Sequence, residues 1–185
     1  MLHLCNNIIL FNFYKNWGEI ILENIQKNRE LLLSKINDIH KSSFFSKQKT
    51  PKLIAVSKKQ EDYKIDKALA CGQKNFGENR VQEATNRWKK RLETNLDLEL
   101  RLIGPLQTNK VKQSLNLFEV IETIDREKIA IQISKNLHEK TKTKSFYVQV
   151  NTGNEPQKSG INPLEADTFI KFCIEDLKLP IVGLM

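Results

Sequence analysis

Residues 53–60 read LIAVSKKQ: four apolar residues run straight into Ser57, Lys58 and Lys59. An amine leaving an apolar strand is partly desolvated, which disfavours its charged form. A neutral lysine amine is a nucleophile that condenses with an aldehyde to give a Schiff base. Successive strand side chains point to opposite faces, so at most one of Lys58 and Lys59 enters a pocket, and parity alone does not say which. The same two lysines also fit an ordinary solvated strand end.

Four further polar or glycine-bearing groups follow apolar runs: Gly77-Glu78-Asn79, Gly104-Pro105-Leu106-Gln107, Thr123-Ile124-Asp125 and Asn151-Thr152-Gly153. In parallel α/β proteins, sites form at the carboxyl ends of strands, and such groups converging there have the composition of a small-molecule pocket. Taken singly, each is also an ordinary set of turn residues. Cys5, Cys71 and Cys173 are odd in number, far apart and without C-x-x-C pairing, and His3, His40 and His138 are equally scattered. Neither a disulfide framework nor a metal site is expected, and a reducing, cytoplasmic setting fits best.

The elements that must position these residues follow a regular beat. Helical spacing of Ile21, Ile25, Leu32, Ile36 and Ile39 predicts an amphipathic helix over Glu19–His40. A strand is expected at Leu53–Ser57, then a helix over Glu61–Cys71 stopped by Gly72. A short strand at Lys74–Phe76 leads into GENRVQEATNRWKKRL, expected to be helical throughout. LELRLIG is the third strand, followed by a helix near Asn109–Leu117. FEVIETI is the fourth, with Asp125 capping a helix that runs to about His138. SFYVQVN is the fifth. Asn162-Pro163-Leu164-Glu165 opens the next helix with a cap, a first-turn proline and an acid, and LPIVGLM is the sixth strand. Six nearly continuous apolar strands alternating with helices mean a parallel sheet covered by helices. Pattern alone leaves a barrel and an open doubly wound sheet both standing. No G-x-G-x-x-G follows a strand and no P-loop is present, which weakens a dinucleotide or nucleoside-triphosphate reading.

The bulk numbers suit one folded domain: 185 residues, 39% hydrophobic and 28% charged. The net charge of +8 favours anionic partners without choosing among nucleic acid, lipid headgroups and phosphorylated small molecules. Residues 1–18 have no basic leader, are interrupted by Asn6, Asn7 and Asn12, and are too short and polar to span a bilayer; a poorly anchored extension is expected there, with the domain over 19–185. A complete (β/α)8 barrel takes roughly 250 residues. If the fold is a barrel, about six strand–helix units are present and the last two strands are missing, so the chain is expected to be a fragment.

LIAVSKKQ, FGENRVQEA, RLIGPLQTNKVK, VIETID, VQVNTGNEPQKSGI and IVGLM, in this order, resemble the YggS/PROSC family of pyridoxal 5′-phosphate (PLP) homeostasis proteins over about Glu19–Met185. The resemblance implies an α/β fold of the (β/α)8 TIM-barrel type, like the barrel domain of alanine racemase but standing alone. It implies PLP as cofactor, held as a reversible Schiff base on Lys58, with Asn79 of GEN beside it. It also places Lys158 of KSG near the same mouth, where it fits either a secondary lysine or, more readily, a solvated loop lysine. Gln107, Asn109 and Lys110 match the family, and they equally serve to shape a turn and cap the next helix. Leu100 and Arg101 stand where the family carries an aromatic-His pair, and the family's phosphate-gripping segments lie beyond the sixth strand.

The expected function is therefore intracellular PLP homeostasis without catalytic turnover, with no catalytic residue and no metal. Partners are PLP and PLP-dependent client enzymes, with neither nucleic acid nor membrane, in a monomer or homodimer. Lacking the phosphate-gripping segments, this chain is expected to bind PLP poorly. Two alternatives stand beside this: a PLP-dependent racemase or decarboxylase fragment, and a basic nucleic-acid-binding module.

Overall fold

A computed structural model describes residues 25–185 and, ahead of them, only the backbone of Leu4–Cys5 and Ile8–Phe11. The chain divides into two compact units, Met1–Phe76 and Gly77–Met185.

In the first unit, β1 (Leu4–Cys5) pairs antiparallel with β2 (Ile8–Phe11). β2 runs parallel to β3 (Lys52–Val56), with Ile8 opposite Lys52 and Phe11 opposite Ala55. These strands lie inside the stretch expected as a poorly anchored extension. IILF is a short unbroken apolar run of the kind parallel strands use, and the asparagines around it masked the signal. The rest of residues 1–18 lies outside the described residues, as do positions 19–24 of the expected first helix. That helix, α1, is described over Ile25–Ser42. Its Ile36 is buried with Leu53 of β3, and Leu32 and Leu33 pack against the pair, whereas Ile39, expected on the same stripe, is 66% exposed.

α2 (Asp62–Ala70) ends in a Schellman motif. Gly72, at φ +79°, donates to Leu69 O (2.8 Å) and Gln73 N–H donates to Ala68 O (3.0 Å). The buried Gln73 side chain then donates to Leu53 O (2.9 Å) and Asn75 O (2.8 Å) and accepts from Arg29 Nε (3.1 Å). One amide thus ties α1, the start of β3 and the start of β4.

β4 (Asn75–Glu78) spans the boundary between the units. In the second unit follow α3 (Val81–Thr94), β5 (Glu99–Leu102), α4 (Val111–Leu115), β6 (Val120–Ile124), α5 (Glu127–Asn136), β7 (Ser145–Val148), α6 (Ala166–Lys171) and β8 (Ile181–Leu184). β5 to β8 are parallel and lie in sequence order, with Arg101 opposite Val120, Val120 opposite Ser145 and Phe146 opposite Ile181. β6 is buried along its whole length. Trp88, Leu102, Leu115, Ile121, Ile133 and Phe146, from α3 to β7, have no accessible surface and form the centre of the core.

Two expected helix starts differ. Gly77 and Glu78 belong to β4, and α3 begins only at Val81. The Glu78 carboxylate is fully buried and accepts from Trp88 Nε1 (2.9 Å) and Arg87 Nη1 (3.1 Å), so it lies beneath the helix instead of within its first turn. Asp125 does not cap α5: the N-cap residue is Arg126, whose Nη1 holds the Asp125 carboxylate at 2.5 Å. The third start holds as expected, with Asn162 Oδ1 accepting from Leu164 N (2.9 Å) ahead of Pro163.

Candidate functional site

Lys58 directly follows Ser57 at the carboxyl end of β3. Residues 57–60 form a tight turn closed by Gln60 N–H to Ser57 O (3.1 Å), and Lys59 takes the left-handed conformation (φ 58°). Leu53 packs on Ile36 of α1, so by strand alternation Ala55 shares its side while Ile54 and Val56 face the other way. The strand ends at Val56, and Lys58 and Lys59 lie in the turn beyond it, Lys58 half-buried and Lys59 exposed. Among the described residues, no carboxylate is paired with the Lys58 amine.

Asn79 follows β4 in the second unit. The Glu78 side chain turns to α3, and Asn79 lies in the bend just past the strand. Asn79 is half-buried, and its Oδ1 is fully buried without a hydrogen-bond donor. Its backbone is held hard against the neighbouring strand end. A Cβ on Gly104 would stand 2.2 Å from Asn79 O and 2.6 Å from Asn79 Cα, so only glycine allows this approach. Ile103 N–H donates to Glu78 O (2.9 Å), and the buried Thr123 hydroxyl donates to Gly104 O (2.7 Å). The ends of β4, β5 and β6 are therefore locked together, beside the buried and unsatisfied Asn79 Oδ1. A buried oxygen without a partner costs about 1–3 kcal/mol, and a ligand carrying a polar hydrogen would offset that cost. Asn79 fits a polar cofactor in this respect.

The other marked residues are engaged within the protein. Lys158 is 62% exposed and its amine is paired with Glu155 in the loop after β7. That loop is pinned by Asn151, which exchanges hydrogen bonds with the Glu155 backbone (Nδ2 to O 2.8 Å; N to Oδ1 3.2 Å). Lys158 is thus a solvated loop lysine. Gln107 O accepts from Lys110 N (2.9 Å) and the Lys110 amine donates to Gln82 (3.2 Å), while Asn109 is exposed; these residues shape the turn into α4.

A buried charge cluster went unrecognised in the sequence. Arg101, 4% exposed, donates from Nη1 to Glu122 Oε1 on β6 (2.6 Å) and from Nε to Glu99 Oε1 (2.6 Å). Burial pushes the Glu122 carboxyl above its ordinary range, and the guanidinium works against that rise. Asp125 is likewise raised by burial and opposed by Arg126, whose Nη2 also donates to Leu106 O (3.0 Å) and so ties the loop after β5 to the end of β6. The available signal was charge alternating with apolar residues in LELRL and VIETI. Among the described residues, no group of three metal-binding side chains occurs, and no helix is long and apolar enough to cross a membrane.

Parallel strands alternating with helices define a protein of the parallel α/β class. Residues 40–185 match the family described as alanine racemase, N-terminal domain. The pyridoxal phosphate homeostasis protein of Vibrio cholerae is 34% identical over 89% of this chain and 70% of its own; that of Haemophilus influenzae is 37% identical over 88% and 68%. PipY of Synechococcus elongatus, solved with PLP bound, superposes with a TM-score of 0.60 at 30% identity, covering 76% of this chain and 64% of PipY. Without PLP the same protein gives 0.61 at 32% identity, covering 79% and 66%. The chain belongs to the alanine racemase N-terminal domain family, among the relatives named pyridoxal phosphate homeostasis proteins. It spans about two thirds of the length of PipY. Its fold is accordingly of the (β/α) barrel type, which decides between the two sheet architectures left open by pattern. The six strands from β3 to β8, with helices between them, are the six units expected. The curated relatives carry the name of a homeostasis protein and not that of an enzyme.

Proposed function

We propose that this chain is a PLP-binding protein of intracellular PLP homeostasis, acting in the cytoplasm without turnover of its own. The observation that carries the proposal is the placement of Lys58, half-buried in the turn at the carboxyl end of β3, with its neighbour Lys59 exposed. When bound, PLP supplies an aldehyde that condenses reversibly with a lysine amine. Lys58 supplies that amine. Asn79 is the second cofactor-binding residue, its buried Oδ1 accepting a polar hydrogen of the ligand. Holding PLP in this way stores the cofactor, keeps free aldehyde low and makes it available to PLP-dependent client enzymes.

The test is a visible absorption titration of the chain with PLP. A protein-bound imine band is expected, absent in Lys58→Ala and retained in Lys59→Ala. A band that survives Lys58→Ala would overturn the assignment.

A further inference from the structure

The excess positive charge is unevenly shared along the chain. Residues 1–76 carry 13 Lys and Arg against 7 Asp and Glu, a net +6, whereas residues 77–185 carry 17 against 15, a net +2. The imbalance sharpens between Ile39 and Gln60, where six lysines and no acid occur. In the middle of that stretch two adjacent phenylalanines face solvent, Phe44 at 96% exposure and Phe45 at 55%. Ile39, in the last turn of α1, is 66% exposed.

The segment that presents the two rings is well ordered by its own hydrogen bonds. Ser46 N–H donates to Ser43 O (3.2 Å) and Gln48 N–H to Phe45 O (2.9 Å). The Ser43 hydroxyl donates to His40 O (2.7 Å) and accepts from Phe45 N (3.2 Å), and His40 Nε2 lies 3.1 Å from Gln48 O. The small polar side chains turn in to satisfy the backbone while the largest apolar ones stay out. The two rings meet edge to face, 5.8 Å between centroids at 88°.

We propose that this turn, with Ile39 and the flanking Lys41, Lys47 and Lys49, is a docking surface for an anionic lipid bilayer. Apolar side chains projecting from a turn partition into the acyl boundary, and neighbouring lysines reach the headgroup phosphates with their ammonium groups. Each lysine held near an anionic leaflet adds attraction that salt screens. Single-stranded nucleic acid is the competing polyanion. It is captured by open ring faces on which successive bases stack. Here the edge of one ring meets the face of the other, and the third apolar group, Ile39, has no ring at all. Between Ile39 and Gln60 three exposed apolar side chains share a stretch with six lysines and no acid, a composition complementary to anionic lipid in both charge and polarity. The contact is peripheral and involves no membrane-crossing helix. It departs from the sequence-based expectation that no membrane is a partner, and it stands independently of the cofactor proposal.

Flotation of the full chain with vesicles tests it, using phosphatidylcholine alone or phosphatidylcholine with phosphatidylglycerol, at about 0.1 M and about 0.5 M salt. The chain is expected to float with the phosphatidylglycerol vesicles only, and less at the higher salt. Phe44→Ser/Phe45→Ser is expected to weaken that binding about tenfold or more while leaving the thermal midpoint and circular dichroism unchanged. Lys47→Glu/Lys49→Glu is expected to abolish it. Failure to float, or flotation unaffected by Phe44→Ser/Phe45→Ser, would overturn the proposal. So would loss of polyuridylate binding in the phenylalanine variant with vesicle binding unchanged, which would assign the turn to single-stranded RNA.

Discussion

Gly104 lies so close to Asn79 that a methyl group on it would sit 2.2 Å from the Asn79 carbonyl oxygen. Neither atom of that contact can retreat freely, because Thr123 holds Gly104 O from the other side (2.7 Å) and Ile103 N–H holds Glu78 O (2.9 Å). Gly104→Ala is therefore expected to destabilise the chain by about 3 kcal/mol, the upper range for forced overpacking, and Thr123→Val by about 1–2 kcal/mol through the stranded carbonyl. Urea denaturation of both variants checks this. A Gly104→Ala midpoint equal to the parent's would mean the two strand ends are not locked.

Asn79 separates stability from binding. Its buried Oδ1 accepts nothing from the protein, so Asn79→Ala removes no intramolecular hydrogen bond at that atom. Stability is expected to hold or to rise by up to about 1–3 kcal/mol, because the uncompensated buried oxygen is gone. PLP affinity is expected to fall about tenfold, the worth of one hydrogen bond at a buried atom. A large loss of stability with affinity intact would reverse both halves of the prediction.

Arg101 and Glu122 are buried to 4% and 2% exposure and meet at 2.6 Å. Arg101→Leu would strand the Glu122 charge and is expected to cost about 3–5 kcal/mol, whereas Arg101→Met/Glu122→Leu should recover most of that loss. Thermal denaturation of the single and double variants reads the difference directly. Equal destabilisation by both would argue that the side chains matter for packing more than for charge.

Cys173 gives the alkaline limit of stability. Burial, with a smaller contribution from Glu127, pushes its thiol up from 9.0 to about 11. Below pH 9 the thiol is protonated in the folded and unfolded chains alike, and its contribution to stability is fully present. As pH rises from about 9 to about 11 the unfolded chain ionises first, so stability falls by on the order of 2–3 kcal/mol. Cys173→Ala is expected to flatten this slope in denaturation curves taken across that range. An unchanged slope would assign the loss to other groups.

How far the sequence exposed this arrangement depended on whether a residue's partners were near in the chain. The strands from β3 to β8 were legible because each is an apolar run closed by turn residues, and the helical turn Pro163–Glu165 that leads into α6 because Asn162 caps it directly. Glu78 was misplaced because its partner Trp88 lies ten residues on, so that its polarity read as a helix start. The Arg101–Glu122 pair joins residues 21 apart on neighbouring strands, and nothing local marks it. Alternation does not separate Lys58 from Lys59, because the strand ends at Val56 and both lie in the turn that follows, where Lys58 is half-buried and Lys59 exposed. The strand at Ile8–Phe11 was hidden because its partner, β3, begins 41 residues beyond its own last residue.

The central claim is that Lys58 carries the cofactor. Borohydride reduction of the chain mixed with PLP, followed by peptide mapping, tests it most directly. The account predicts a single stable pyridoxyl label on the peptide containing Lys58, none on Lys59 or Lys158, and no label in Lys58→Ala. A label on a different lysine, or one spread over the exposed lysines in proportion to their accessibility, would contradict it.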